Sequence, residues 1–371
     1  FFPVRSTETI VKGERTEVRY FVERGDYNPF DVLVEAPRPR REVSRTTLQT
    51  AQIEQIPGTA GDVLRVVSNL PGVARSDAFG GQVIVRGSAP EDTRTVVDGM
   101  DIPLIYHFFG LRSVIPTPML SGIDFYPGNF SPRFGRATGG IIDVNLKKLQ
   151  PARLGVKADV SIIDTSLYLE APLGKDGSFA IAARRSYLDV VISAAASAAE
   201  DDINIVTAPR YYDGQAIFQY RFGKAHEVRA FGLLSDDELR ILFDNFADAT
   251  LLARGTEARS TTGFVRGIVD YTYTPSTDFS NSLRVSVGKD ASTNRFAQFR
   301  LELDQIGVQV RDTASLRLNE HFRIEAGLDH LFTRYDILAY APLPPREGDA
   351  GEDDDRFRAT DVKGLESNSF G

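Results

Sequence analysis

A period of two constrains this chain more than any other feature. After Pro151, polar and apolar residues alternate in segment after segment, and no apolar run approaches the roughly 18 residues of a spanning helix. Val156, Ala158, Val160 and Ile162 alternate with Lys157, Asp159 and Ser161; Leu167, Leu169 and Ala171 alternate with Ser166, Tyr168 and Glu170. Val265, Gly267, Val269, Tyr271 and Tyr273 oppose Arg266, Asp270 and Thr272, while Leu283, Val285 and Val287 oppose Ser282, Arg284 and Ser286. Phe322, Ile324, Ala326 and Leu328 oppose Arg323, Glu325 and Asp329. Residues two apart share one face of a strand, so each segment has an apolar face and a charged face. A soluble sandwich alternates too. A sustained charged face backed by small and aromatic residues instead favours an antiparallel transmembrane β-barrel, with lipid outside and a wet lumen within. The 31 Gly, 24 Phe and 13 Tyr suit such a wall. Short joins at Leu173–Gly177 and Thr274–Asp278, against long intervals at 194–210 and 236–258, give two unlike rims. An Ala-rich turn at Ile192–Ala199 is the one helical candidate in this region.

The remaining composition excludes chemistry. The chain has no Cys, so disulfides, thiolate metal sites and sulfur nucleophiles are absent. Its 43 basic and 51 acidic residues leave a net charge of −8, with no basic run to follow a nucleic-acid backbone. No nucleophile elbow, HExxH, P-loop or dinucleotide fingerprint occurs, and no enzyme, cofactor or catalytic residue is expected. No metal site is expected either: His321 and His330 read as opposite faces of one strand, and Glu352–Asp355 as a solvated loop without calcium-loop spacing. His107, beside Tyr106, Phe108 and Phe109, reads as a loop or packing residue rather than a ligand contact.

Before the alternating region the chain falls into three parts. Residues 1–27 hold two short strands, Thr9–Val11 and Thr16–Val22, like the tail of a β-sandwich. Residues 28–45 form a linker: Asp31, Val32, Leu33 and Val34 precede Pro37-Arg38-Pro39-Arg40-Arg41, which favours extended backbone. On these residues alone an interdomain connector is the better reading, with strand addition to a partner's sheet as the alternative. Residues 46–148 read as a compact α/β unit. It has a short helix over 59–69 carrying Val63, Leu64, Val66 and Val67, strands at 82–87, 93–99, 123–126 and 140–146, and a Gly-studded loop from Gly128 to Gly140.

Four stretches of this unit resemble, in order, the plug of a TonB-dependent outer-membrane receptor. They are Ser68-Asn69-Leu70-Pro71-Gly72-Val73, Val85-Arg86-Gly87, Thr95 to Pro103 around Asp98-Gly99, and Gly128 to Val144. The resemblance covers residues 46–148 and implies that 151–371 begin the receptor's barrel. Gly72, Gly87, Gly99, Gly128 and Gly135 stand where strands end, which suits positive φ, and Gly139-Gly140 would let backbone pass close to the barrel wall. Arg86 and Arg133 are cations that barrel carboxylates would pair with. The resemblance gives Arg86 a part in locking plug to wall. Pro127 stands where the family usually has a second lock arginine, a departure that marks a divergent branch.

The resemblance also changes the reading of Asp31–Val34, which matches the TonB box, the segment that adds as a strand to TonB. It implies a receptor in the outer membrane of a Gram-negative bacterium, surrounded by outer-membrane lipid and energised by TonB with its inner-membrane complex. The ligand is open: siderophore, cobalamin, glycan and peptide are all handled by the family. Two rivals stand beside import: a receptor-like scaffold for signalling, secretion or surface assembly, and a soluble β-rich binding protein. Size adds an expectation of truncation. At roughly 20–25 residues per membrane strand and its connection, 151–371 supply about ten strands, whereas 22-stranded barrels hold a plug. About half of the barrel is thus expected beyond this sequence, with more chain before its start.

Overall fold

The computed structural model describes residues 44–50, 62, 64–75, 83–110, 112–198, 205–243, 256–296, 299–342 and 357–370. All of them belong to one compact unit, Glu42–Gly371. The sandwich-like residues 1–27, the TonB box-like Asp31–Val34 and the acidic run Glu352–Asp355 lie outside the described residues.

The smaller domain is built on a five-stranded sheet. Its strands are β1 (Thr46–Gln49), β4 (Thr93–Val97), β5 (Met100–Asp101), β6 (Leu120–Tyr126) and β7 (Gly140–Leu146), in the order β1-β6-β7-β4-β5. Only the β4–β7 pair is parallel. Two short strands, β2 (Val73–Arg75) and β3 (Val83–Val85), pair separately, so the expected strands at 82–87 and 93–99 belong to different sheets. The expected helix over 59–69 is described as a 3-10 helix at Leu64–Asn69, with Val66 and Val67 buried. Val97, Met100, Ile115, Met119, Ile123, Phe125, Ile142 and Val144 form the domain's apolar core. Near-continuous burial of β6 and β7 fits a central pair covered on both faces.

Ten strands follow in strict meander order: β8 (Gly155–Val160), β9 (Asp164–Leu173), β10 (Gly177–Ser186), β11 (Ile205–Phe222), β12 (His226–Phe243), β13 (Thr256–Tyr273), β14 (Phe279–Phe296), β15 (Phe299–Arg317), β16 (Arg323–Pro342) and β17 (Phe357–Phe370). Every neighbouring pair is antiparallel and the sheet does not close on itself, so it is a partial β-barrel. The expected ten strands are present. Strands β11–β16 run 18–20 residues, beyond the 9–11 that cross a bilayer. For this reason 236–243 and 256–258, expected within a long loop, are strand instead. The Ala-rich turn is a longer α-helix, α1 (Leu188–Ala198). His321 lies in the turn before β16 and only His330 on the strand, so the two are not strand-mates.

The faces of this sheet are inverted relative to a soluble one. Val265, Val287, Ile306 and Leu328 are 50–57% exposed on its outer face, while Asp213, Gln215, Asp237, Arg266, Gln309, Arg311 and Asp329 are buried on the inner face against the small domain. Phe218, Tyr220 and Phe222 stack near the short-turn rim, and His226, Tyr271, Tyr273 and Phe279 continue the row. An apolar band bordered by aromatic rings is the outer surface of a membrane barrel.

Candidate functional site: the seam between plug and wall

Three side-chain clamps hold the small domain against the inner face of the sheet. The first grips the turn at Asp98-Gly99. Asp98, at φ 47°, and Gly99, at φ 81°, reverse the chain between β4 and β5. Arg229 of β12 donates to Asp98 Oδ2 at 2.6 Å, Arg284 of β14 to the Asp98 carbonyl at 2.7 Å, and Arg311 of β15 to the Gly99 carbonyl at 2.9 Å. Asp270 of β13 orients Arg284 at 2.7 Å. The turn is closed from within by Asp98 Oδ1, which accepts the Leu146 N–H, and by Asp143 Oδ1, which accepts the Gly99 N–H. Burial and the neighbouring Asp98 charge push the Asp143 carboxyl up to about 7. Burial also raises Asp98, despite the opposing pull of Arg229.

The second clamp centres on His107, whose side chain is fully buried. Its Nδ1 lies 2.5 Å from Asp237 Oδ1 on β12, and its Nε2 lies 2.9 Å from Asp213 Oδ2 on β11. The ring stacks on Tyr211 at 4.2 Å, and the Phe108 N–H donates to Asp237 Oδ2 at 3.2 Å. Burial alone would lower the His107 pKa. The Asp237 charge, with bonds to both carboxylates, outweighs it and holds the imidazole above its ordinary value. With a carboxylate at each nitrogen, the imidazolium has an acceptor for both of its protons. Arg184 of β10 adds a 2.7 Å bond to Asp213.

The third clamp lies beside the first. Arg94 and Arg136 of the small domain converge on Asp101, and Arg136 reaches Asp329 of β16 at 2.7 Å. Gln309 of β15 donates to both Asp329 oxygens and accepts the Asp101 N–H at 2.9 Å. The guanidinium groups of Arg133 and Arg311 both lie over the Phe134 ring, 5.9 and 5.8 Å from its centroid.

The sequence-derived motif residues distribute unevenly over this seam. Asp98 and Gly99 sit inside it. Arg86 is exposed, bonds through its N–H to the Gly72 carbonyl, and has no carboxylate within ion-pair distance among the described residues. Arg133 is exposed and offers its carbonyl to Arg311. Pro71 and Gly72 form an exposed turn before β2. Gly72, Gly87, Gly99 and Gly128 do have positive φ, whereas Gly135 does not; Arg136 takes the left-handed conformation beside it. Gly139 and Gly140 pack against Ser88 and Val85 of the small domain itself rather than against the wall. His107 is a plug-to-wall lock, and nothing in its neighbours along the chain signals this, because its partners lie 106 and 130 residues away. The wall arginines likewise look like any polar position of an alternating strand.

Two clefts border the seam. One of about 620 Å³ lies toward the short-turn rim, lined by Arg45, Asp124, Lys148, Glu227, Asp270 and Arg284. The other, of about 180 Å³, lies beside the His107 clamp and is lined by Arg112, Lys157, Asp164, Tyr168, Arg184 and Asp213.

A mixed domain clamped by side chains against an antiparallel sheet, polar within and apolar without, is a plug seated in a partial β-barrel. Residues 40–141 match the TonB-dependent receptor plug domain. The fold is shared with solved receptors at low identity. A variant of the ferric enterobactin receptor of Pseudomonas aeruginosa superposes with a TM-score of 0.54 at 13% identity, over 89% of this chain and 55% of that one. The ferric-catecholate import receptor Fiu of E. coli K12, in an open form, gives 0.57 at 10% identity, over 89% and 66%. The outer membrane transporter YddB of Escherichia coli gives 0.57 at 10% identity, over 80% and 49%. No curated protein sequence matches significantly. Residues 40–141 thus carry the TonB-dependent receptor plug domain, the strands after them share the fold of the solved receptors' barrels, and the chain spans about half the length of the first solved receptors it matches.

Proposed function

We propose that this chain is the plug and leading half of the barrel of an outer-membrane transporter that takes up a scarce ligand, energised through TonB. The observation that carries the reading is the seam: a folded plug is held inside a lipid-facing wall by side chains alone, an obstruction that can be moved without dismantling the wall. Asp31–Val34 would add as a strand to TonB in the periplasm, and tension through residues 35–45 would reach the plug at β1. There Arg45 pairs with Asp124 at 2.8 Å and Thr47 donates to the same carboxylate at 2.6 Å. Arg86 is proposed to join the locking set against wall strands outside this sequence. The ligand is assigned no further than a siderophore, cobalamin, glycan or peptide.

The test is Val32→Pro in the full-length protein, which removes a backbone donor that strand addition needs. Uptake and co-purification with the periplasmic domain of TonB should both fall at least tenfold, with heat-modifiable migration of the barrel unchanged. Undiminished uptake by an inserted variant would overturn energised import and favour the scaffold reading.

A further inference from the structure

The inner face of the wall changes character partway round. One row in register crosses six strands: Ala180 of β10 lies opposite Ile217 of β11, Ile217 opposite Phe231 of β12, Phe231 opposite Ile268 of β13, Ile268 opposite Ser286 of β14, and Ser286 opposite Gln309 of β15. The row is apolar as far as β13 and polar from β14 on. Its four apolar members, with Leu233 and Phe264, belong to one hydrophobic core with Val97, Val144 and Leu146 of the plug. Among the described residues, no side chain of β14–β17 joins that core. What β14–β16 offer the plug is hydrogen bonds and charge. Arg284 and Arg311 donate to carbonyls and Arg311 also lies over the Phe134 ring, while Gln309 accepts the Asp101 N–H and Asp329 holds Arg136.

The two halves answer a pull differently. When a hydrogen bond or ion pair parts in a wet lumen, water solvates both partners, so the net loss is small. An apolar contact gains nothing from water in exchange, and parting it exposes its whole area. Position favours the same half. The cleft of about 620 Å³ already separates Thr47 and Gln49 of β1, where the linker enters the plug, from β12–β14, and it reaches β14 at Arg284. Tension applied at β1 therefore begins at an existing gap and meets the polar half of the wall there.

We propose that the plug turns on its apolar contact with β10–β13 and parts from β14–β16, so that a ligand passing the plug runs along the polar half of the described wall, past Ser286, Gln309 and Thr333. The route rests on the import reading, and it suits a ligand with hydrogen-bonding groups to exchange with that lining. The chain has no Cys, so one introduced thiol reports one place. Ser286→Cys and Thr333→Cys probe the polar half, and Ala182→Cys and Ile217→Cys the apolar half. All four positions start buried, at 4%, 8%, 5% and 1% exposure. Either position in a half suffices should the other variant not fold. The full-length variants, folded in detergent and checked by heat-modifiable migration, are labelled with a small hydrophilic maleimide at rising urea, short of barrel unfolding. The thiols introduced at Ser286 and Thr333 should react at least tenfold faster than without urea at a concentration that leaves those at Ala182 and Ile217 within twofold of their starting rates. In cells, energised TonB should give the same selective acceleration over a strain lacking TonB. Equal acceleration at all four positions, earlier labelling of the apolar half, or no acceleration at Ser286 and Thr333 before the barrel unfolds overturns the proposal. The expected order in detergent without any dependence on TonB in cells supports the apolar pivot and overturns the import reading instead.

Discussion

The seam is gripped with opposite polarity at its two ends. Around Asp98-Gly99 the wall contributes cations, Arg229, Arg284 and Arg311, and the plug contributes a carboxylate and two carbonyls. Around His107 the wall contributes anions, Asp213 and Asp237, and the plug contributes the cation. Each end would repel the other end's partner, so the plug's register in the lumen is specified twice. The ends also differ in what they hold: the arginine end divides its bonds between two backbone carbonyls and the Asp98 carboxylate, and the histidine end depends on one imidazole ring.

The largest expected effect comes from breaking the histidine end. His107→Leu leaves two buried carboxylates facing an apolar side chain, which costs about 3–5 kcal/mol of plug docking. Hydrogen exchange of residues 105–114 should accelerate by orders of magnitude while the β11–β12 ladder stays protected. In the native protein the same end has a pH window. His107 is raised on folding, so its contribution is present in full below the unfolded value of about 6.5 and is lost as pH rises through the folded value. Exchange at 105–114 should therefore quicken on moving from neutral to alkaline pH. Next is Asp143, raised to about 7. Its contribution is complete below the ordinary value near 3.8 and lost as pH climbs through 7, so the arginine end should tighten on acidification to pH 5. Asp143→Asn should weaken that dependence, leaving the part that belongs to Asp98, and stabilise the plug at pH 8 by a few kcal/mol, measured as a change in the denaturant midpoint of plug release. A smaller loss, about 1–3 kcal/mol, is expected from Gly99→Ala, because φ is 81° there and the added Cβ would stand 2.9 Å from Arg311 Nη1. The smallest is Lys289→Gln. It removes an outer-face pair with Asp304 whose members are more than half exposed, and Tm should not move measurably.

The wall was the more legible region. A period of two needs no long-range knowledge, and it showed the strand character and outward faces, while chain length at roughly 20–25 residues per strand and connection gave about ten strands and turn chemistry the short joins at 174–176 and 274–278. Strand length was not legible, since nothing in Glu238, Thr261 or Asn294 marks where lipid gives way to water. In the plug, turn chemistry at Gly72, Gly87, Gly99 and Gly128 was readable because positive φ is a local demand. The clamps were not, because ion pairing is set by which strands curl past the plug. Two arginines in the plug suggested cations inside and carboxylates on the wall, a rule that holds for Arg136 with Asp329 and for His107 and reverses at Asp98.

The plug and wall sheets are separate, and among the described residues no backbone-to-backbone hydrogen bond crosses between them. In the language of materials, the boundary is a perforation rather than a weld. A crack running along it would break side-chain contacts at Asp98, His107 and Arg136 one cluster at a time and would meet no ladder to propagate into. The wall's strand ladder can thus stay whole when the plug shifts, and what the wall loses is the partners of its inward-facing charges and apolar side chains.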